Sequence, residues 1–168
     1  MRERAHWSRW LLLAAVVVVL DLATKAWISS AFRYGEVREV TPFFNLVLVH
    51  NTGAAFSFLA DAGGWQRWFF VVVSVVISAV IVWMLRRSDQ SRLAALGLAL
   101  VLGGALGNLY DRATLGHVVD FVQLHAGGYY WPAFNVADSA ICVGVALLLW
   151  DGFRGTPAPA GAPAREKT

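Results

Sequence analysis

Charge is the scarcest thing in this chain of 168 residues: 15 % are Asp, Glu, Lys or Arg, against 58 % apolar and 13 % aromatic. A soluble domain carries about 25 % charged residues, so a water-soluble globular fold is excluded, and the mean hydropathy of +0.56 agrees. Cysteine is nearly absent. Cys142 stands alone in an apolar stretch, which excludes an internal disulfide. Without the electropositive setting that activates a thiolate, it reads as a small packed hydrophobe. His, Cys and carboxylate residues show no metal-ligand spacing, and His50, His117 and His125 are scattered as sheet residues rather than ligands. Neither Ser-x-x-Lys nor Gly-x-Ser-x-Gly occurs. Serine and metallopeptidase chemistry therefore have no support, and no metal or cofactor is expected. An internal repeat is also missing, which disfavours an inverted-repeat transporter.

What is abundant is hydrocarbon. Crossing a roughly 30 Å apolar core takes about 20 helical residues. Four helices are expected, over about 10–28, 68–85, 93–110 and 135–153, with eight tryptophans suited to the interfacial belts. The first run, Trp10–Leu20, spans only if it continues through Asp21 and Lys25 to about Ile28. Arg2, Arg4 and Arg9 before Leu11–Leu20 resemble the start of a signal peptide, but Asp21, Thr24 and Lys25 stand where a small-x-small cleavage site belongs. An uncleaved first helix is the better reading.

The pI near 9.4 does not imply nucleic acid, because the basic residues flank apolar segments. Arg2, Arg4, Arg9, Arg86, Arg87, Arg92, Arg154, Arg165 and Lys167 fall on one side of the four spans. Lys25, Arg33, Arg38, Arg67 and Arg112 fall on the other, spread through longer segments and partly matched by Glu36, Glu39, Asp61 and Asp111. Both termini are thus expected in the cytoplasm, with residues from about 30 to 66 and about 111 to 134 outside. Residues 154–168, with Pro157, Pro159 and Pro163 among Ala and Gly, read as a disordered cytoplasmic tail behind one membrane domain of 1–153. The outer segments hold strand-like runs, Asn45–His50 and Val118–Leu124, and Gly127-Gly128 before Tyr129–Trp131 is a hairpin-turn signal. The fold expected is an all-α four-helix membrane bundle carrying a small extracytoplasmic β-rich element, a surface able to hold an extended peptide.

Asp138 lies inside the apolar run Phe134–Trp150, where an ionised carboxylate is costly and marks a functional site by default. It falls in the first turn of the fourth helix, where the helix dipole favours an anion and where a plain cap is the alternative. Asp120 reaches the same outer depth from the preceding segment, with Asp111 beside Arg112 as a competitor in an ordinary interfacial setting. Two carboxylates a few ångströms apart share a proton, so one can activate water while the other protonates the scissile amide. Asp21 and Lys25, four residues apart with the acid first, suit a helical ion pair or a role at the site. Asn51 and Asn108 are amides near the same plane, able to donate to a peptide backbone or to close a turn. The glycines around Asn108 allow close packing or leave room for a ligand. Arg112 has three open partners: Asp111, a headgroup, or substrate. A proton-coupled transporter also uses membrane carboxylates, but wants them near the midplane rather than at one face.

Five blocks in order resemble the lipoprotein signal peptidase (signal peptidase II) family. They are Asp21-Leu22-Ala23-Thr24-Lys25, Asn51-Thr52-Gly53-Ala54-Ala55-Phe56-Ser57-Phe58, Gly103-Gly104-Ala105-Leu106-Gly107-Asn108-Leu109-Tyr110-Asp111-Arg112, Val118-Val119-Asp120-Phe121 and Phe134-Asn135-Val136-Ala137-Asp138-Ser139. The resemblance covers residues 8 to 153. It implies a bacterial inner-membrane aspartic endopeptidase that removes signal peptides from prolipoproteins, cutting on the N-terminal side of a diacylglyceryl-modified cysteine. By the same resemblance Asp120 and Asp138 are the catalytic pair, Asp120 rather than Asp111. Asp21, Lys25, Asn51, Asn108, Arg112 and Asn135 are its supporting polar residues, and its partners are prolipoproteins and membrane lipids.

Overall fold

A computed structural model describes residues 7–53, 63–87 and 90–154. Helix α1 (Trp7–Ala31) leads into strands β1 (Val37–Thr41) and β2 (Phe44–Asn51), then α2 (Trp65–Arg86) and α3 (Arg92–Thr114), strands β3 (Val118–Ala126) and β4 (Tyr129–Tyr130), and α4 (Val136–Phe153). All four helices are long and apolar enough to cross a membrane. Each apolar run is there as expected, and α1 to α3 extend beyond the expected limits. The hydrocarbon length sets the apolar run, whereas the hydrogen-bonded ladder continues until a cap or a polar partner stops it. Thus α3 runs on through Asn108, Asp111 and Arg112, whose polar groups find partners inside the protein.

Helix α3 is the centre of the bundle, and its small residues explain why. In lipid, helices associate through close packing rather than through a hydrophobic driving force, so glycine and alanine gather at the contacts. A Cβ on Gly103 would lie 2.8 Å from the Ala14 carbonyl of α1, one on Gly97 2.8 Å from the Gly144 carbonyl of α4, and one on Gly104 would strike the carbonyl of Ala137. Bulky residues face outward: Leu12 and Val19 of α1, Phe69 and Val76 of α2, and Val143 and Leu149 of α4 are exposed to the lipid. Cys142 is exposed there too rather than packed inside, since α4 turns its small face, not this one, to α3.

One end of the bundle is an Arg/Trp belt. Arg86 lies over Trp7 at 5.1 Å, Arg87 over Trp83 at 4.4 Å and Arg154 over Trp150 at 5.8 Å. There Ser91 caps α3 by accepting from the Ala94 N–H at 2.9 Å, and its hydroxyl donates to Asp151 of α4 at 2.6 Å.

The other end carries the sheet, antiparallel and ordered β1-β2-β3-β4. It closes on the end of α1 through Ile28, Phe32, Leu48, Val119 and Phe121. Gly127 and Gly128, with φ of 57° and 82°, form the two-residue turn that pairs Ala126 with Tyr129. Strands β2 and β3 cover the two runs expected of them. Strand β1 was not expected: Val37–Thr41 is almost wholly exposed and lacks the apolar alternation that marks a half-buried strand. Ala54 to Phe58 of the second motif block, and the expected tail from Gly155, lie outside the described residues.

Candidate active site

The fourth helix begins with a reciprocal cap. Asn135 Oδ1 accepts from the Asp138 N–H at 2.9 Å, while Asp138 Oδ2 accepts from the Asn135 N–H at 3.2 Å. The cap leaves half of each side chain free for another task. The Asn135 carboxamide nitrogen donates to Asp120 Oδ1 at 2.7 Å, and Asp138 Oδ1 accepts from Asn108 Nδ2 at 2.8 Å. Strand pairing brings in the third amide: Val49 lies opposite Asp120 in the β2–β3 register, and Asn51 Nδ2 donates to Asp120 Oδ2 at 3.1 Å. The two carboxyls therefore share a frame of three asparagines, Asn135 contacting both.

Asp120 is 3 % exposed. Burial first, and the Asp138 carboxylate second, push its carboxyl up from the usual 3.8 to about 7, against the opposing pull of the Asn51 and Asn135 amides and of Lys25. An acid placed there can hold or release a proton at neutral pH.

Behind this frame, Lys25 Nζ meets Asp21 Oδ2 at 2.7 Å, Asp111 Oδ2 at 2.9 Å and Asn108 Oδ1 at 2.9 Å. Asp21 and Lys25 do pair along one face of α1, and Asp21 Oδ1 also accepts from the Ala137 N–H at 2.9 Å. The pair is thus tied to the start of α4. Asp111 corrects its sequence reading. It is 2 % exposed, with Lys25 and the Val119 N–H as partners, not an interfacial residue beside Arg112. Arg112 turns away from it: Nη2 donates to the Gly53 carbonyl at 2.8 Å, and the guanidinium lies over Phe70 at 5.1 Å. Its Nε is buried with no hydrogen-bond partner among the described residues.

Every residue singled out by spacing or resemblance (Asp21, Lys25, Asn51, Asn108, Arg112, Asp120, Asn135 and Asp138) falls at the sheet end of the bundle, joined in this network. Asp111 was missed. The signal that could have found it is its place one turn beyond Asn108 on α3, on the face that meets Lys25. The histidines sit in the sheet region as expected: His50 stacks on His117 at 3.8 Å, and His125 stacks on Tyr130 at 5.1 Å. Among the described residues, no three His, Cys, Asp or Glu side chains converge to hold a metal ion.

Such a molecule is a multi-pass membrane protein with two carboxyls, Asp120 and Asp138, held by asparagines at one end of its bundle. The chain belongs to the signal peptidase II family, whose description, Signal peptidase (SPase) II, matches residues 13–154. It is 58 % identical over 145 residues to the lipoprotein signal peptidase of Cupriavidus taiwanensis, covering 86 % of this chain and 82 % of that protein. It is 56 % identical to that of Ralstonia nicotianae, covering 86 % of this chain and 84 % of that protein. A solved structure described as a bacterial membrane enzyme, determined by the in meso method at 2.3 Å, superposes with a TM-score of 0.81 at 32 % identity, covering 96 % of this chain and 99 % of that one.

Proposed function

We propose that this protein is an aspartic endopeptidase that removes signal peptides from diacylglyceryl-modified prolipoproteins, cutting on the N-terminal side of the lipidated cysteine. The observation that carries the reading is the double engagement of Asn135, whose carboxamide donates to Asp120 while its backbone N–H donates to Asp138. One small residue thus supports both carboxyls. Family membership supports the substrate class: the relatives are lipoprotein signal peptidases.

In this reading Asp120 holds the proton at rest and gives it to the carbonyl oxygen or leaving nitrogen, while Asp138 takes a proton from the attacking water. Asn51, Asn108 and Asn135 fix the carboxyls, and the Arg112 guanidinium, whose Nε–H has no partner among the described residues, faces the peptide. The Arg/Trp end lies in the cytoplasm with both termini, and the sheet end at the outer face of the bacterial inner membrane. A scissile bond just outside an anchored signal helix lies at that depth.

Lipid on the substrate acts by positioning. Its chains are already in the bilayer before binding, so their transfer contributes little. The anchor instead holds the scissile bond level with Asp120 and Asp138, a gain in orientation. Purified protein given lipidated and unlipidated forms of one precursor in the same bilayer is expected to cleave only the lipidated form. Equal cleavage of both would contradict the proposed specificity and favour a general intramembrane protease.

A further inference from the structure

The proposed reaction leaves a buried charge centre without a task. Lys25 is 3 % exposed, and its ammonium has Asp21, Asp111 and Asn108 as oxygen partners at 2.7, 2.9 and 2.9 Å. An ammonium carries three protons, so its donors are spent within the protein and none is left for substrate. Each acceptor goes on to a second partner beside a site carboxyl. Asp21 Oδ1 takes the N–H of Ala137, the residue before Asp138, at 2.9 Å. Asp111 Oδ2 takes the N–H of Val119, the residue before Asp120, at 3.1 Å. Asn108 Nδ2 donates to Asp138 itself at 2.8 Å.

We infer that Lys25 and Asp111 are positioning residues for the two carboxyls: Asp111 holds β3 in place through Val119, and Lys25 fixes which way round the Asn108 carboxamide lies. This rests on Asp120 and Asp138 being the working pair. The ends of a carboxamide are nearly the same shape, but an ammonium only donates. Facing Lys25, Asn108 must present Oδ1, and so must present Nδ2 to Asp138. Asn135 Nδ2 also donates to Asn108 Oδ1, at a longer 3.3 Å. Without the cation that weaker contact alone opposes a half-turn of the amide, which would bring oxygen against a carboxylate oxygen and cost Asp138 a donor. Asp111 acts from the last turns of α3, where its carboxylate reaches across to the strand that carries Asp120. Neither residue touches the reacting atoms; each acts through a neighbour.

The test uses the full chain and a lipidated precursor, with turnover expressed per folded molecule after thermal unfolding of each variant. Asp111→Asn, which sets an amide against the Lys25 ammonium, is expected to lose about a hundredfold in kcat with KM within about threefold of the parent. Asp111→Glu, which keeps the charge, is expected to recover part of it. Lys25→Gln, which keeps a donor for Asn108, is expected to turn over faster than Lys25→Met, which has none, whether or not the Asp111 variants fold. Parent kcat in Asp111→Asn, a loss carried by KM, or equal turnover of Lys25→Gln and Lys25→Met would overturn the inference. Asp120→Asn runs alongside as the separate check on the pair. If it stays active, the proposed reaction fails; if it is inert while Asp111→Asn is fully active, only the positioning role fails.

Discussion

Asn135 donates its side-chain amide to Asp120 at 2.7 Å from the cap of the very helix whose first turn holds Asp138. Two functions are thereby separable at one position. Asn135→Ser keeps a capping oxygen but is too short to reach Asp120. It is expected to keep the cap but to lose about 1–3 kcal/mol, because Asn108 Oδ1 and the Val119 carbonyl also lose the Asn135 amide donor. Turnover per folded molecule is expected to fall about 10- to 100-fold. Thermal unfolding and kcat measured on the same preparation check this; parent turnover in the serine variant would contradict the role.

Asp120 makes stability and activity depend on pH. Its carboxyl is raised from 3.8 to about 7 in the fold, so the folded chain binds this proton more tightly than the unfolded chain. The contribution to stability is fully present below the unfolded value and is lost as pH rises through about 7. The parent is therefore expected to lose more stability than Asp120→Asn between acidic and mildly alkaline pH. Turnover is expected to fall on the alkaline side of about 7 as Asp120 gives up its proton. Unfolding midpoints and kcat across that range read both; an identical pH slope in the Asn variant would contradict the assignment.

Gly104 sets how closely α3 approaches the start of α4. A Cβ there strikes the Ala137 carbonyl, next to Asp138, whereas a Cβ on Gly152 meets nothing within 4 Å. Gly104→Ala is expected to destabilise the bundle by about 1–3 kcal/mol and to lower turnover by shifting Asp138. Gly152→Ala is expected to be neutral or stabilising by about 0.5–1 kcal/mol. Equal behaviour of the two in thermal unfolding would show that this approach does not matter.

The helices were legible because lipid demands a length of hydrocarbon: Trp68–Leu85 and Leu93–Tyr110 display it without any knowledge of their partners, whereas Trp10–Leu20 falls short and spans only by continuing through Asp21 and Lys25. The Gly127-Gly128 turn was legible for a local reason too, since few residues other than glycine accept positive φ at both positions. Strand β1 was not, because its residues are exposed and its only mark is pairing with β2. At the site, spacing placed Asp120 and Asp138 at one end but left Asp111 as a rival; resemblance, not geometry, chose between them. Asp111 was misread because its partners, Lys25 and Val119, come from another helix and a later strand. The capping reading of Asp138 holds in the structure, and the cap coexists with the contact to Asn108.

The central claim is that Asp120 and Asp138 together cleave the peptide. Its most direct measurement is cleavage of a lipidated precursor by purified parent, Asp120→Asn and Asp138→Asn, each first shown to be folded in the same detergent. Neither substitution is expected to unfold the bundle: the amide oxygen keeps one of the two hydrogen bonds that each carboxyl accepts, and a buried ionisable group is removed in exchange for the bond lost. Loss of at least about 10³-fold in turnover in each variant, with folding retained, is the expected result. Cleavage at the parent rate by either folded variant would contradict it.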